Sequence, residues 1–286
     1  MKFLFFFCIL IFFYNKIFAN CSKAKDSSRI VVAGGSITET LFYLDLSKNI
    51  IAVDTTSNFP DEAKNLPSIG YVRALSTEGV LSLNPTLIIG EKDMGPPNVI
   101  QQIRNTPVEL KIIEEENSAE GINKKIDCIK NIVGEKKFDS EKNINLKSSI
   151  LKLKNISNIN NNNKIRGLII LMMRGTSPIV AGSDTSGGDF LRMIGATNSM
   201  NSFEGWKPVG REAIMISNPD FIIVTKRALK NFGSSKTFMK ESGILDTKAA
   251  KLNKVFFEDG MQFLGFGPRT MDLAIKIAKD INEQPN

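Results

Sequence analysis

The chain has 286 residues, 42% of them hydrophobic and 23% charged, with a formal net charge of +7 and no histidine. That length is enough for two packed domains. The mild basic excess is scattered over expected helix faces such as Lys136-Lys137 and Lys147 without an arginine and aromatic stripe, which argues against nucleic acid as a partner, and the lack of histidine removes the commonest metal ligand and general base.

Residues 1–19 read as a signal peptide: Lys2 precedes the apolar run from Phe3 to Tyr14, and Ile17-Phe18-Ala19 offers a small residue for cleavage. The run is too short to favour a spanning helix. Cleavage takes away Lys2 and Lys16 and no acid, so the formal charge falls from +7 to +5, and leaves Cys21 and Cys128. One disulfide or two free thiols would both be consistent with these two cysteines. Cys21 could instead carry a lipid, although Asn20 is a poor residue before a lipoprotein cysteine. In each case the mature protein works outside the cytoplasm.

Residues 29–33 form a short β-branched run that leads through Gly34-Gly35-Ser36 into a helical pattern over 38–44. The turn lacks the third spaced glycine of a dinucleotide fold and the Lys-Ser/Thr pair of a P-loop, so it is read as a tight strand-to-helix turn. Ile50-Ile51-Ala52-Val53 is the next strand, and residues 60–63 a turn or helix start. In the stretch that follows, Tyr71 and Arg73 stand two apart in an extended segment, which places a phenol and a guanidinium on one face. Ser76 or Thr77 caps a helix with Glu78 in its first turn, Asn84-Pro85 ends it, and Leu87-Ile88-Ile89 is a buried strand. A tyrosine and an arginine beside a helix N-terminus suit an anion or a metal.

A helix through Ile100 and Ile103 and a strand at 107–110 complete a lobe over 29–118. Strands alternating with helices imply a mostly parallel sheet, with ligand sites at the carboxyl ends of its strands. Ile122, Ile126, Ile129 and Val133 then recur at helical spacing, and a Lys-rich segment runs from 139 to 156. With no proline between Val108 and Ser177, residues 119–164 are expected to form a helical connector, about 30 Å long if roughly 20 residues are helical. The asparagines of 158–164 would close it as a loop.

A second lobe, 165–286, opens with a buried strand over 167–173 and a turn at 174–178. It continues through a helix over 187–193 stopped by Gly195, the lone Trp206, which is read as packing, and strands ending near Thr225 and Phe257. A final helix starts at Thr270. This lobe repeats the first: Glu212, Asn218 and Pro219 follow Glu78, Asn84 and Pro85 at a fixed offset, and Val180-Ala181-Gly182 echoes Val32-Ala33-Gly34. Two copies of one pattern argue for two similar α/β lobes.

These motifs resemble the substrate-binding proteins of ABC importers for haem, cobalamin and iron chelates, specifically the periplasmic haem-binding branch. The likeness is carried by Val31-Val32-Ala33-Gly34-Gly35-Ser36-Ile37-Thr38-Glu39, by Asp54-Thr55-Thr56-Ser57, by the stretch from Gly70 to Pro85, by Lys207-Pro208 and by Leu264-Gly265-Phe266-Gly267-Pro268-Arg269. The resemblance implies an α/β fold of two similar lobes joined by a long rigid helix, with haem in the cleft between them. It implies Tyr71 as the ligand of ferric iron, with Arg73 supporting the phenolate. A phenol with a pKa of about 10 loses its proton to a bound ferric ion, and a hard oxygen suits Fe(III).

Two departures stand out. The histidine that some relatives add from the second lobe is absent, and the arginine that others place after a second-lobe strand aligns with Lys226, with Arg227 one position late. Glu78 and Glu212 match the family's pair of carboxylates that engage arginines of the permease subunits. The expected protein is a carrier of haem with no catalytic residues. The same fold carrying a ferric siderophore or a corrinoid is the alternative, and a secreted metal-dependent enzyme a more distant one.

Overall fold

A computed structural model describes residues 21–134, 140–230 and 232–283. The signal-peptide stretch lies outside the described residues, and no helix among those described is long and apolar enough to cross a membrane.

The first unit is built on four parallel strands, β1 (Ile30–Ala33), β2 (Ile50–Val53), β3 (Leu87–Glu91) and β4 (Glu109–Ile113), in the order β2-β1-β3-β4. Helices α1 (Gly35–Tyr43), α2 (Thr77–Leu81) and α3 (Pro97–Arg104) connect them. Central β1 is buried along its whole length, as a parallel strand covered on both faces must be, which is why it reads as unbroken Ile-Val-Val-Ala. Val31, Ala52, Ile88, Val99 and Ile103 meet in its core together with Val72 and Leu75. At the exit of β1, Gly34 has φ +148 and any Cβ there would lie 2.4 Å from Cγ of Glu91, so only glycine lets the chain pass the end of β3.

Helix α4 (Ala119–Val133) and the 23-residue α5 (Ser140–Asn162) follow. They fall in the stretch expected to be the helical connector. Unit 1 runs to Glu115 and takes up the chain again from Lys124, whereas Glu116–Asn123 and everything from α5 onward belong to unit 2. The expected loop at 158–164 is also different: α5 continues through Asn162, and the turn is confined to Asn163 and Lys164. Asparagine is a poor helix former, but Asn160 is fully buried and its Nδ2 donates to the carbonyls of Ile194 (2.8 Å) and Ala278 (3.1 Å), so tertiary hydrogen bonds override propensity here.

Unit 2 contains β5 (Arg166–Arg174), β6 (Ser177–Ala181), α6 (Ser186–Met193), β7 (Thr197–Asn198), β8 (Trp206–Pro208), α7 (Arg211–Ser217), β9 (Phe221–Thr225), α8 (Ser235–Glu241), α9 (Lys248–Lys251), β10 (Val255–Glu258), α10 (Gly260–Leu264) and α11 (Thr270–Asp280). Its sheet runs β10-β9-β5-β6-β8, with β7 added alongside β5. The pairs among β10, β9 and β5 are parallel, while β6 is antiparallel to both β5 and β8. Trp206 packs over Gly187, where a Cβ would come within 2.9 Å of the indole.

The repeat is real in the fold. Thr77 and Arg211, which start α2 and α7, Leu87 and Phe221, which start β3 and β9, and Glu91 and Thr225, which end those strands, are all 134 positions apart. Asn84 (φ 51) and Asn218 (φ 43) both turn left-handed, a conformation asparagine tolerates better than most residues. The echo of Val32-Ala33-Gly34 in Val180-Ala181-Gly182 is local only: β6 is an antiparallel strand, and the partner that pairs in parallel with β9, as β1 does with β3, is β5.

Cys21 and Cys128 form a disulfide within unit 1, which decides between the two thiol readings and corrects the lipid alternative. A sulfur engaged in a disulfide has no valence left for a thioether to lipid. The bond ties the first described residues to α4, an attachment reinforced by the Ala24 amide donating to the Ile132 carbonyl at 2.8 Å. Its sequence separation is 107 residues, and closing a loop of that order restricts the unfolded chain by about 4 to 5 kcal/mol on chain-entropy grounds. Cys128→Ser should therefore lower the urea midpoint, with a loss of about 2–4 kcal/mol in unfolding free energy, and added reductant should lower the wild type but not the variant. Equal midpoints for oxidised and reduced protein would contradict this.

Candidate functional site

The stretch singled out in the sequence lies at the carboxyl ends of the parallel strands of unit 1. It is a turn rather than an extended segment: the Ala74 amide donates to the Tyr71 carbonyl at 2.8 Å. On one side the Thr55 amide, just past β2, donates to the Gly70 carbonyl at 2.9 Å. On the other, the loop leaving β3 is stitched to the turn twice, Gly95 N to Val72 O at 2.9 Å and Leu75 N to Gly95 O at 2.8 Å. Gly70 takes φ +89, a backbone few other residues accept.

Val72 is 2% exposed and anchored in the core, which forces its neighbours outward: Tyr71 is 43% exposed. The expected shared face is present despite the different backbone. Arg73 Nη1 donates to Tyr71 Oη at 2.5 Å, and the guanidinium carbon stands 5.8 Å from the phenol ring centre. The same guanidinium donates through Nε to Asp93 Oδ2 at 2.7 Å and through Nη2 to the same oxygen. Burial by itself would lower the Arg73 pKa, but the hydrogen bond and charge of Asp93, and then Tyr71, outweigh it and hold the group charged. Immediately after the turn, Ser76 caps α2 by accepting from the Gly79 amide at 3.3 Å, as one of the two expected caps.

Behind this pair the strand ends carry a buried polar cluster. Asp54 accepts from the Gly34 amide (3.0 Å), from Ser57 Oγ (2.9 Å) and from the amide and hydroxyl of Thr56 (2.9 and 2.7 Å), fixing the turn after β2. Lys125 reaches in from α4 to pair with Glu115, and its Nζ donates to Ser36 Oγ at 2.8 Å. Glu91 ends β3 in their midst. Burial first, and the Glu115 charge second, push its pKa up to about 8; Lys125 offsets this only in part, and Asp93 and Asp54 add repulsion.

The other expected residues occupy repeat-equivalent places. Lys226 and Arg227 follow β9 as Lys92 and Asp93 follow β3, and both are exposed. In unit 1 the corresponding charges are matched, Arg73 with Asp93 and Lys92 with Glu114 at 3.4 Å, whereas Lys226 and Arg227 form no ion pair among the described residues. Glu78 and Glu212 are exposed in the first turns of α2 and α7, also without ion pairs among the described residues. Tyr71 and Arg73 are thus brought together in unit 1, which also holds Glu78, and Lys226, Arg227 and Glu212 fall in unit 2. A cavity of about 480 Å³ in unit 2, lined by residues including Ser157, Asp184, Asp189 and Arg192, contains none of them.

The family model described as periplasmic binding protein matches residues 30–260. The chain belongs to that family. Among solved structures, a periplasmic haem-binding protein of Pseudomonas aeruginosa superposes with a TM-score of 0.77 at 27% identity, covering 91% of this chain and 95% of that one. Another from Vibrio cholerae gives 0.76 at 29% identity, with 90% and 100% covered. An uncharacterized ABC transporter substrate-binding lipoprotein of Bacillus subtilis strain 168 is 23% identical over 259 residues, which is 90% of this chain and 81% of that one.

For this periplasmic binding protein, residue patterns alone missed Asp93 and the cluster of Glu91, Glu115 and Lys125. Asp93 lies two residues past the end of β3, and a usable signal was present, since the fixed offset maps it onto Arg227, which was singled out. The cluster gave no such signal, because Lys125 joins it from a helix far along the chain.

Folded Glu91 holds a proton at neutral pH that the unfolded chain, with an ordinary value of 4.5, has already released. The native state therefore binds more protons through this window, and stability falls as pH rises from 4.5 through about 8. Glu91→Gln, which mimics the neutral acid, should flatten that fall; urea midpoints at about pH 5, 7 and 9 measure it. An unchanged slope would place the titration in another group.

Proposed function

We propose that this protein captures ferric haem outside the cytoplasm and delivers it to the permease of an ABC importer. The observation that carries the reading is the exposed Tyr71 phenol with Arg73 Nη1 2.5 Å from its oxygen, at the carboxyl ends of parallel strands, in a chain whose solved neighbours include haem-binding proteins. The phenol oxygen is a hard donor suited to Fe(III), and a guanidinium hydrogen bond favours the phenolate over the phenol. With no histidine in the sequence, Tyr71 is the protein's side-chain ligand to the iron.

Ferric haem carries two propionates, and the charges beside Tyr71 are already matched within unit 1. Lys226 and Arg227 of unit 2, which form no ion pair among the described residues, supply the positive charge for those carboxylates. Glu78 and Glu212, exposed and equivalent by the repeat, engage the permease subunits. The protein is a carrier, not an enzyme: its task is binding and release. A signal peptide over residues 1–19 and a Cys21–Cys128 disulfide both suit an oxidising compartment outside the cytoplasm.

Two experiments test this. Haemin added to the purified mature protein should give a phenolate-to-iron charge-transfer band, with cobalamin and a ferric siderophore as comparison ligands. Tyr71→Phe should abolish the band and weaken binding by about ten-fold or more, one decade corresponding to about 1.4 kcal/mol. A band and affinity unchanged in that variant would defeat the assignment. For delivery, the Glu78→Ala, Glu212→Ala double variant should bind haemin as the wild type does but load vesicles carrying the cognate transporter more slowly, with a dependence on salt. Wild-type transport by the double variant would reduce both acids to helix-end charges.

A further inference from the structure

We infer that Asp93 is the positioning residue of the Tyr71–Arg73 pair: it holds the guanidinium by Nε and Nη2, so that Nη1 remains directed at the phenol oxygen. This rests on the reading of Tyr71 as the iron ligand and deepens it. An arginine side chain has several freely rotating bonds, and an exposed one samples many rotamers. Here one edge of its planar fork is taken by a single carboxylate oxygen, which leaves the remaining terminal nitrogen with essentially one orientation.

The backbone makes the arrangement specific. Asp93 and Arg73 belong to different loops, and the two bonds between Gly95 and the Val72 and Leu75 peptides set those loops in register. Met94, only 6% exposed, is anchored in the unit 1 core between Asp93 and Gly95, as Val72 is between Tyr71 and Arg73. Each loop thus buries one apolar side chain and turns its polar neighbour outward. Lys92, the nearest competing cation on the same loop, is paired with Glu114.

Asp93 also cancels the charge of Arg73. The guanidinium therefore acts on the phenol through direction and not through a net positive field, and it adds little attraction for an anionic ligand at a distance. This separates a positioning role from a merely structural one, because removing the carboxylate has opposite effects on two measurable quantities. Association of anionic haemin should be as fast as in the wild type or faster, while the geometry that favours phenolate ligation is lost.

The test is stopped-flow haemin binding and absorption spectroscopy on the mature protein carrying Asp93→Asn, Asp93→Ala, Asp93→Glu or Tyr71→Phe, with the thermal midpoint of each apo-protein as a check on folding. Asp93→Asn, which is isosteric, should lose at least half of the charge-transfer intensity and dissociate haemin about ten-fold faster, the scale of one charge-assisted hydrogen bond, without slower association. Asp93→Ala should do the same, and Asp93→Glu should restore the band in part. Wild-type band and dissociation rate in both the Asn and Ala variants, with the band abolished by Tyr71→Phe, would overturn the role of Asp93 alone. A band that survives Tyr71→Phe would overturn the ligand assignment, and this inference with it. Slower association in Asp93→Asn with an unchanged band would likewise overturn it.

Discussion

The geometry of the site depends on two backbone hydrogen bonds through Gly95, one from its amide to the Val72 carbonyl and one from the Leu75 amide to its carbonyl. They join a turn that has no secondary structure of its own to the loop that leaves β3, and β3 is among the most buried strands of unit 1. Exposed loops ordinarily sample many conformations; this one is held by paired peptides and by Val72, Leu75 and Met94 in the core beneath it. Tyr71 and Arg73 can therefore be exposed and still have a defined relation to each other.

Charge at the strand ends of unit 1 is matched in pairs, Arg73 with Asp93, Lys92 with Glu114 and Lys125 with Glu115. Glu91 is left over among acids in a buried setting, and it answers by keeping its proton. The equivalent end of β9 in unit 2 carries Thr225 in place of Glu91 and the exposed cations Lys226 and Arg227. One repeated pattern thus has two electrostatic characters. Unit 1 holds a phenol and a guanidinium in a fixed relation with the charge matched by Asp93, and unit 2 carries two exposed cations at the equivalent place.

The disulfide bears on where and how the protein works. Cys21 lies two residues beyond Ala19, and the lipid reading would require cleavage directly before it instead. Pairing with Cys128 commits that sulfur to the fold of unit 1. The first described segment, from Cys21, is thereby a fixed part of unit 1, further held by Lys111 Nζ donating to Ser22 Oγ at 2.9 Å.

Local chemistry alone determined much of this protein. The alternation of β-branched runs with helical spacing placed β1, β2, β3 and β9, and the fixed offset between Glu78-Asn84-Pro85 and Glu212-Asn218-Pro219 identified a duplicated unit whose helices and strands begin at that same offset. Such signals are readable because capping, left-handed asparagine and strand burial act over a few residues. Tyr71 and Arg73 were legible for the same reason, although an extended backbone is not what places them: the chain makes a turn, and burial of Val72 between them yields the same shared face. What only the tertiary structure decided depends on residues far apart in sequence. Asn160 stays helical because carbonyls of Ile194 and Ala278 reach it, and β6 runs antiparallel because it folds back on β5. The stretch 119–164 divides between two units because part of α4 brings Lys125 to the strand ends of unit 1. Asp93 meets Arg73 across a separation of 20 residues because Gly95 joins their loops, a pairing that no local pattern encodes.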